Sequence, residues 1–252
     1  MKEKLYEQLK TMLFERKDVF AANIGGSKAT GFDDAFSDLD LEVICADDAV
    51  ENVFAAVDEL LQHEFGILRS YRLPEPTWHG FSQCFYLIDQ MPKHFYIDLA
   101  VVKNSLENRL TDTKRHGKAF VWFDKDHYMI EKEDTEEETL ARAKQFYKRA
   151  VSIDFLMMVE VEKNLDRNQY IEAYTAYYRF IMNQMVIMLN LKHRPYKVDF
   201  GMRYAYRDYD EKDYDFLVDA LKNQSIEDIK DHYTKAKTYY ESLKESLKQT
   251  YE

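Results

Sequence analysis

Proline and glycine are scarce, at 4 and 7 of 252 residues. That scarcity excludes flexible linkers, collagen-like repeats and low-complexity tracts, and no internal repeat stands out. Cysteine is scarcer still. Cys45 and Cys84 are the only two, with no CxxC or Cys/His spacing, so neither a disulfide framework nor a zinc site is expected and both read as buried reduced thiols. No apolar run approaches the roughly 18 residues of a membrane span, and Met1 to Lys17 is a charged amphipathic pattern rather than the apolar core of a leader. No membrane partner is expected, and the cytoplasm is the expected compartment. Positive charge is also in deficit, with 35 Lys and Arg against 46 Asp and Glu and a net charge of -11. Binding nucleic acid broadly requires clustered Lys and Arg to neutralise phosphates, so no nucleic-acid partner is expected. A local basic pocket stays open, and an acidic surface suits a small cationic substrate as well as it suits solubility.

What the chain has in quantity is apolar and aromatic surface. Hydrophobic residues make up 46%, with 19 Tyr and 16 Phe, enough for the core of one large domain or two modest ones. After an N-terminal helix, Val19 to Ile24 and Leu39 to Cys45 read as strands, and Ala49 to His63 as a helix through Val53, Ala56, Val57, Leu60 and Leu61. Gly66 to Leu73, Phe81 to Ile88, His94 to Val102 and Ala119 to Phe123 are further strand candidates. From the charged stretch Asp124 to Glu138 onward the pattern is helical. Leu140, Ala143, Tyr147, Ala150, Val151, Asp154, Phe155 and Met158 recur at spacings of three and four. So do Ile171, Tyr174, Tyr178, Ile181, Met185 and Met188, and then Ile226, Ile229, Tyr233, Ala236, Tyr240, Leu243 and Leu247. Such stripes read as core. The expected fold class is α+β: a mixed sheet flanked by helices in residues 1–134, then a helical bundle in residues 135–252.

The most informative run is Ile24-Gly25-Gly26-Ser27, followed by Asp38-Leu39-Asp40 at the head of an apolar strand. A Gly-Ser turn entering a short helix offers backbone N–H groups and a hydroxyl to phosphate. Two aspartates at i and i+2 on a strand point to one face, where carboxylates can hold Mg2+ shared with substrate phosphates. A turn or cap before a strand explains Asp38 alone, but not Asp40 on the same face. Asp98, inside Phe95-Tyr96-Ile97-Asp98-Leu99-Ala100-Val101-Val102, is the candidate third carboxylate, because an acid in an apolar strand is costly to bury without compensation. Its bland alternative is a strand-edge acid facing water. Asp89 is a weaker rival in a turn, and Glu42 is either part of the site or a solvent-facing acid.

On these residues the sequence resembles the nucleotidyltransferase superfamily that includes DNA polymerase beta and the antibiotic-modifying nucleotidyltransferases. Its signature, a Gly-Gly or Gly-Ser pair, a spacer, then Asp-x-Asp or Asp-x-Glu, matches Gly26-Ser27 and Asp38-Leu39-Asp40, with Asp98 matching the later strand carboxylate. The resemblance implies the nucleotidyltransferase fold in the first half and a Mg2+-bound nucleoside triphosphate, with Ser27 at the phosphates and Asp38 and Asp40 as metal ligands. The second half is similar to the bundle of small bacterial enzymes that adenylylate aminoglycosides or lincosamides, where it closes over the substrate. Leu191-Lys192-His193-Arg194-Pro195-Tyr196 and Phe200-Gly201-Met202-Arg203-Tyr204 resemble a segment common in such bundles.

The remaining candidates carry two readings each. Lys192, His193, Arg194 and Arg203 either satisfy a helix C-terminus or reach phosphates, with Lys192 and Arg194 the named nucleotide-binding candidates. Lys28 either assists Ser27 or is simply exposed. Asn183 and Gln184 either line a polar cavity or satisfy each other. Trp78 and His79 either contact a ligand ring or pack in a loop. Arg109 and His116 superficially recapitulate an Arg-spacer-His motif of certain RNase domains, but they lie outside the helical half and are set aside. The combined expectation is Mg2+-dependent transfer of AMP from ATP to a hydroxyl of a small, cationic molecule. Asp38, Asp40 and Asp98 are its catalytic metal ligands, and Gly26, Ser27, Lys28, Lys192 and Arg194 bind the nucleotide. The rivals are a protein-modifying adenylyltransferase of toxin–antitoxin type and a non-catalytic nucleotide-binding protein.

Overall fold

Six strands pair into one mixed sheet in the computed structural model, which describes residues 1–107 and 112–252. Helix α1 (Lys2–Glu15) leads into β1 (Val19–Ile24), the short α2 (Gly26–Thr30) and β2 (Leu39–Cys45). Then come α3 (Val50–Glu64), β3 (Ile67–Arg72), β4 (Ser82–Ile88), β5 (Tyr96–Lys103), one turn of helix α4 (Thr113–His116) and β6 (Phe120–Asp124). The strand order is β3-β4-β5-β2-β1-β6. β2 and β5 are parallel and central, and every other pair is antiparallel.

The two faces of this sheet differ because its central strands alternate. Leu39, Leu41, Val43 and Cys45 of β2 and Ile97, Leu99 and Val101 of β5 are buried in one cluster with Leu5, Leu9 and Leu13 of α1 and Val50, Val53, Phe54, Val57 and Leu61 of α3. A period of two places Asp40, Glu42 and Asp98 on the opposite face. Helices therefore cover one side, and polar residues gather on the other.

The chain divides into two compact units, Met1–Glu133 and Asp134–Glu252. The second is helical: α5 (Glu136–Asp166), α6 (Tyr170–Phe180), a π-helical segment Ile181–Met185, α7 (Val186–His193), a short 3-10 turn Pro195–Lys197, α8 (Ala205–Asp208), α9 (Glu211–Ala220) and α10 (Ile226–Tyr251). Capping boxes open α5 at Thr135 and Glu138 and α10 at Ser225 and Asp228. Three glutamates in the first turn of α5 favour the helix dipole.

The tyrosine stripes are core here, and each buried ring finds a partner for its hydroxyl. Tyr177 donates to Ala220 O at 3.0 Å, Tyr251 to Leu191 O at 3.0 Å and Tyr233 to Glu162 at 2.8 Å. The stripes are narrower than the sequence periodicity implies. Leu140, Phe155, Ile171 and Tyr178 face outward, while Asp154 takes the inward position, paired with Lys244 at 3.0 Å and Tyr240 at 3.1 Å. Helix α9 carries no clear apolar signal because one of its three buried positions is Asp213. Among the described residues, no helix is long and apolar enough to cross a membrane.

Candidate active site

The polar face of the sheet is built by register. Asp40 pairs with Asp98 across the parallel β2–β5 ladder, so the two carboxylates leave the sheet side by side. Glu42 lies between Ala100 of β5 and Asn23 of β1, and Gln83 of β4 stands opposite Ala100. Above this face is a cavity of about 310 Å³, whose lining includes Gly25, Gly26, Asp40, Glu42, Gln83 and Asp98 together with Trp78, His79 and His116. Among the described residues lining it there is no Lys or Arg.

The glycine turn is fitted to Asp40. The Gly25 N–H donates to Asp40 O at 2.8 Å, which extends the β1–β2 ladder one step past the strand. Gly26 then turns with φ +53° into α2, and a Cβ there would come within 1.7 Å of Asp40 Oδ2. Only glycine allows the backbone to pass so close to that carboxylate at a positive φ. The first turn of a helix leaves N–H groups without intrahelical acceptors, so this turn brings backbone donors beside the carboxylates. Gly117 makes a second close approach, with φ +84° and an added Cβ 2.4 Å from Ala29 O, and locks α4 against α2.

The electrostatics are those of crowded acids. Burial, reinforced by the charge of Asp38, holds the Asp98 carboxyl above the usual carboxylate range despite a hydrogen bond from Gln83. The Tyr96 hydroxyl is pushed up by its hydrogen bond to Asp38, by burial and by the charges of Asp38, Asp40 and Asp98. Burial raises Tyr6 too, and Asp33, Asp38 and Asp40 add to it. Both phenols sense the same negative potential. Mg2+ takes hard oxygen donors, commonly one or two carboxylates completed by water and substrate phosphate. Asp40 and Asp98, which line one cavity, fit such a pair, and Asp38, hydrogen-bonded to Tyr96, would have to turn to join them.

The candidate residues do not all converge. Gly26, Asp40 and Asp98 line one cavity. Asp38, just before β2, and Ser27, in the first turn of α2, flank it without lining it. Lys28 pairs with Asp33 at 3.2 Å and sits 5.6 Å above the Phe120 ring. Lys192 and Arg194 belong to the second unit. Lys192 lies 2.6 Å from Asp213 and 3.5 Å from Asp210. Arg194 is fully buried and spends four of its donors within that unit, on Asn190 Oδ1 at 2.7 Å, Arg203 O at 2.5 Å, Asp208 at 2.8 Å and Gly201 O at 2.7 Å. With at most one of its five N–H donors left and no exposure, it is a structural arginine, not a phosphate ligand. Arg109 lies outside the described residues.

Among the described residues, one trio of His, Cys, Asp or Glu side chains has ligand atoms within 4.8 Å of one another: His193, Asp210 and Asp213. The Lys192 ammonium already stands against both of those carboxylates, so the trio is an ion-paired junction of α7 with α9. Asp38, Asp40 and Asp98 are not drawn in so closely. Asp38 turns to the Tyr96 hydroxyl and Asp98 to Gln83.

Sequence reasoning missed Gln83 and Asn23 and discounted His116. The signal for Gln83 was present in the period of two, since Cys84, Tyr86 and Ile88 are buried on the helical side and Gln83 must face the other way. His116 and Gly117 carry no comparable pattern.

No protein-family model matches the chain, and no curated protein does. Solved structures give distant matches. One is a nucleotidyltransferase-like protein from Exiguobacterium sibiricum 255-15, 14% identical, covering 97% of this chain and 73% of the other at a TM-score of 0.37. Another is a STING-associated CdnE c-di-GMP synthase from Capnocytophaga granulosa, 16% identical, covering 94% and 81% at a TM-score of 0.32. At such scores neither bears on the chemistry of this chain.

Proposed function

We propose that the chain is a divalent-metal-dependent nucleotidyltransferase. The observation that carries this reading is the Gly25-Gly26 turn seated on Asp40, with Asp40 in register with Asp98 on one face of the sheet. Asp40, Asp98 and the adjacent Asp38 would hold Mg2+, which when bound neutralises charge on the triphosphate. Backbone N–H groups of Gly26 and Ser27, aided by the α2 dipole, would receive phosphate oxygens. An acceptor hydroxyl oxygen forms the new bond to the α-phosphorus as the bond to the β-phosphate bridging oxygen breaks, and pyrophosphate departs with that electron pair. The hydroxyl proton goes to a carboxylate on this face. Asp98, beside Asp40 in the ladder and lining the cavity, is the candidate to take it.

The finer reading is that ATP donates AMP to a small cationic molecule of the aminoglycoside or lincosamide kind in the cytoplasm, with the second unit contributing to acceptor binding. The net charge of -11 and a cavity lined by Asp40, Glu42 and Asp98 support a cationic acceptor. The test is pyrophosphate release from each nucleoside triphosphate with Mg2+ and a panel of aminoglycosides and lincosamides, beside Asp40→Asn. Acceptor-dependent release lost in the variant supports the reading. Release that needs a protein acceptor would transfer it to protein modification, and Mg2+-dependent binding with no release would leave a nucleotide-binding role.

A further inference from the structure

A directional chain of hydrogen bonds runs from the loop before β4 into the polar face of the sheet. The Phe81 backbone N–H donates to His79 Nδ1 at 3.0 Å. A backbone amide can only donate, so Nδ1 must accept, and the ring proton belongs on Nε2. Nε2 then donates to Gln83 Oε1 at 3.1 Å. That contact decides which way the Gln83 amide points, and its Nε2 donates to Asp98 Oδ1 at 2.6 Å. The loop end of the chain is itself pinned. Thr77 Oγ1 gives its proton to Phe81 O at 2.6 Å and lies 3.3 Å from His79 Nδ1, and Phe81 is buried.

We propose that His79 and Gln83 are positioning residues of the site: His79 fixes the Gln83 amide, and Gln83 holds Asp98 Oδ1 so that Oδ2 faces the cavity beside Asp40. The proposal rests on the reading of Asp98 as a metal-holding carboxylate. Without His79 the amide of Gln83 is free to flip and bring its carbonyl against Asp98, turning an attraction into a repulsion. Groups that orient a metal-binding carboxylate typically change affinity by about 10–100-fold when removed.

The experiment is Mn2+ titration of the full chain, followed by electron paramagnetic resonance, with thermal melts of every variant. His79→Ala and Gln83→Leu are each expected to weaken Mn2+ binding about tenfold. His79→Gln, whose Nε2–H reaches nearly the same point as the imidazole's, is expected to restore affinity to within about twofold of wild type. Nitrogen-15 NMR of the wild-type protein should show His79 as the Nε2–H tautomer, a readout that does not depend on any variant folding. Wild-type Mn2+ affinity in both His79→Ala and Gln83→Leu, with binding abolished in Asp98→Asn, would overturn the positioning role and leave Asp98 in place. A wild-type protein that binds no Mn2+, or an Asp98→Asn variant that binds it normally, would instead overturn the reading of Asp98, and the proposal with it. An Nδ1–H tautomer contradicts the direction of the chain.

Discussion

Asp40 and Asp98 stand opposite each other in the parallel ladder of β2 and β5, on the sheet face that α1 and α3 leave uncovered. Two carboxylates so paired repel unless something of opposite charge lies between them. Both line the cavity above that face.

Gly26 is the position most sensitive to a single methyl group. Gly26→Ala adds a Cβ at φ +53°, 1.7 Å from Asp40 Oδ2, so either the turn or the carboxylate must move. The strained conformation alone costs about 1–3 kcal/mol. We expect a modest fall in melting temperature with loss of at least about tenfold in Mn2+ affinity, as for other disturbed metal sites. Normal affinity in a folded variant would mean that the turn does not position Asp40.

Asp98 should cost stability at neutral pH. Its folded pKa is raised, chiefly by burial and then by Asp38, so the folded state holds the proton more tightly than the unfolded one. The ionised group therefore destabilises the metal-free fold above the folded pKa, and this cost vanishes below the unfolded value near about 3.9. Asp98→Asn keeps an oxygen for Gln83 and removes the charge. In EDTA at pH 7 it should melt above wild type, with the advantage shrinking as the pH falls toward about 4. Added Mg2+ should narrow or reverse the order, because only wild type gains from binding. A variant no more stable than wild type at pH 7 without metal contradicts this.

Arg194 should matter for folding and not for nucleotide binding. Replacing it with Met removes the donor to the Arg203 carbonyl and one of the three cations around Asp208, which keeps Arg207 at 2.8 Å and Lys197 at 3.8 Å. Leaving a buried acceptor without its hydrogen bond costs about 1–3 kcal/mol. Urea denaturation should show a loss of that order, while nucleotide affinity per folded molecule stays unchanged. A stable variant with weakened nucleotide binding would restore Arg194 to the phosphates.

The part of the site legible in the sequence is the part written in local periodicity. Leu39-Asp40-Leu41-Glu42-Val43 alternates, and Asp98 interrupts an apolar strand, so the carboxylate face and the α+β division could be read directly. The fate of Arg194 could not, because a cation at a helix end looks the same whether it meets solvent or Asn190 and Asp208. Helix α9 was hidden by Asp213 in its buried stripe, and Phe155 and Ile171 misled by being apolar and exposed. The link from His79 through Gln83 to Asp98 depends on β4 lying beside β5, and strand order is not contained in any one segment.

The most direct test of the central claim is calorimetric titration of the protein with a non-hydrolysable ATP analogue in Mg2+ or in EDTA, comparing wild type with Asp40→Asn/Asp98→Asn. The account predicts binding that requires Mg2+ and is lost in the double variant while its melt stays cooperative. Equal binding in EDTA, or undiminished binding by the double variant, would contradict a metal–nucleotide site on this face of the sheet.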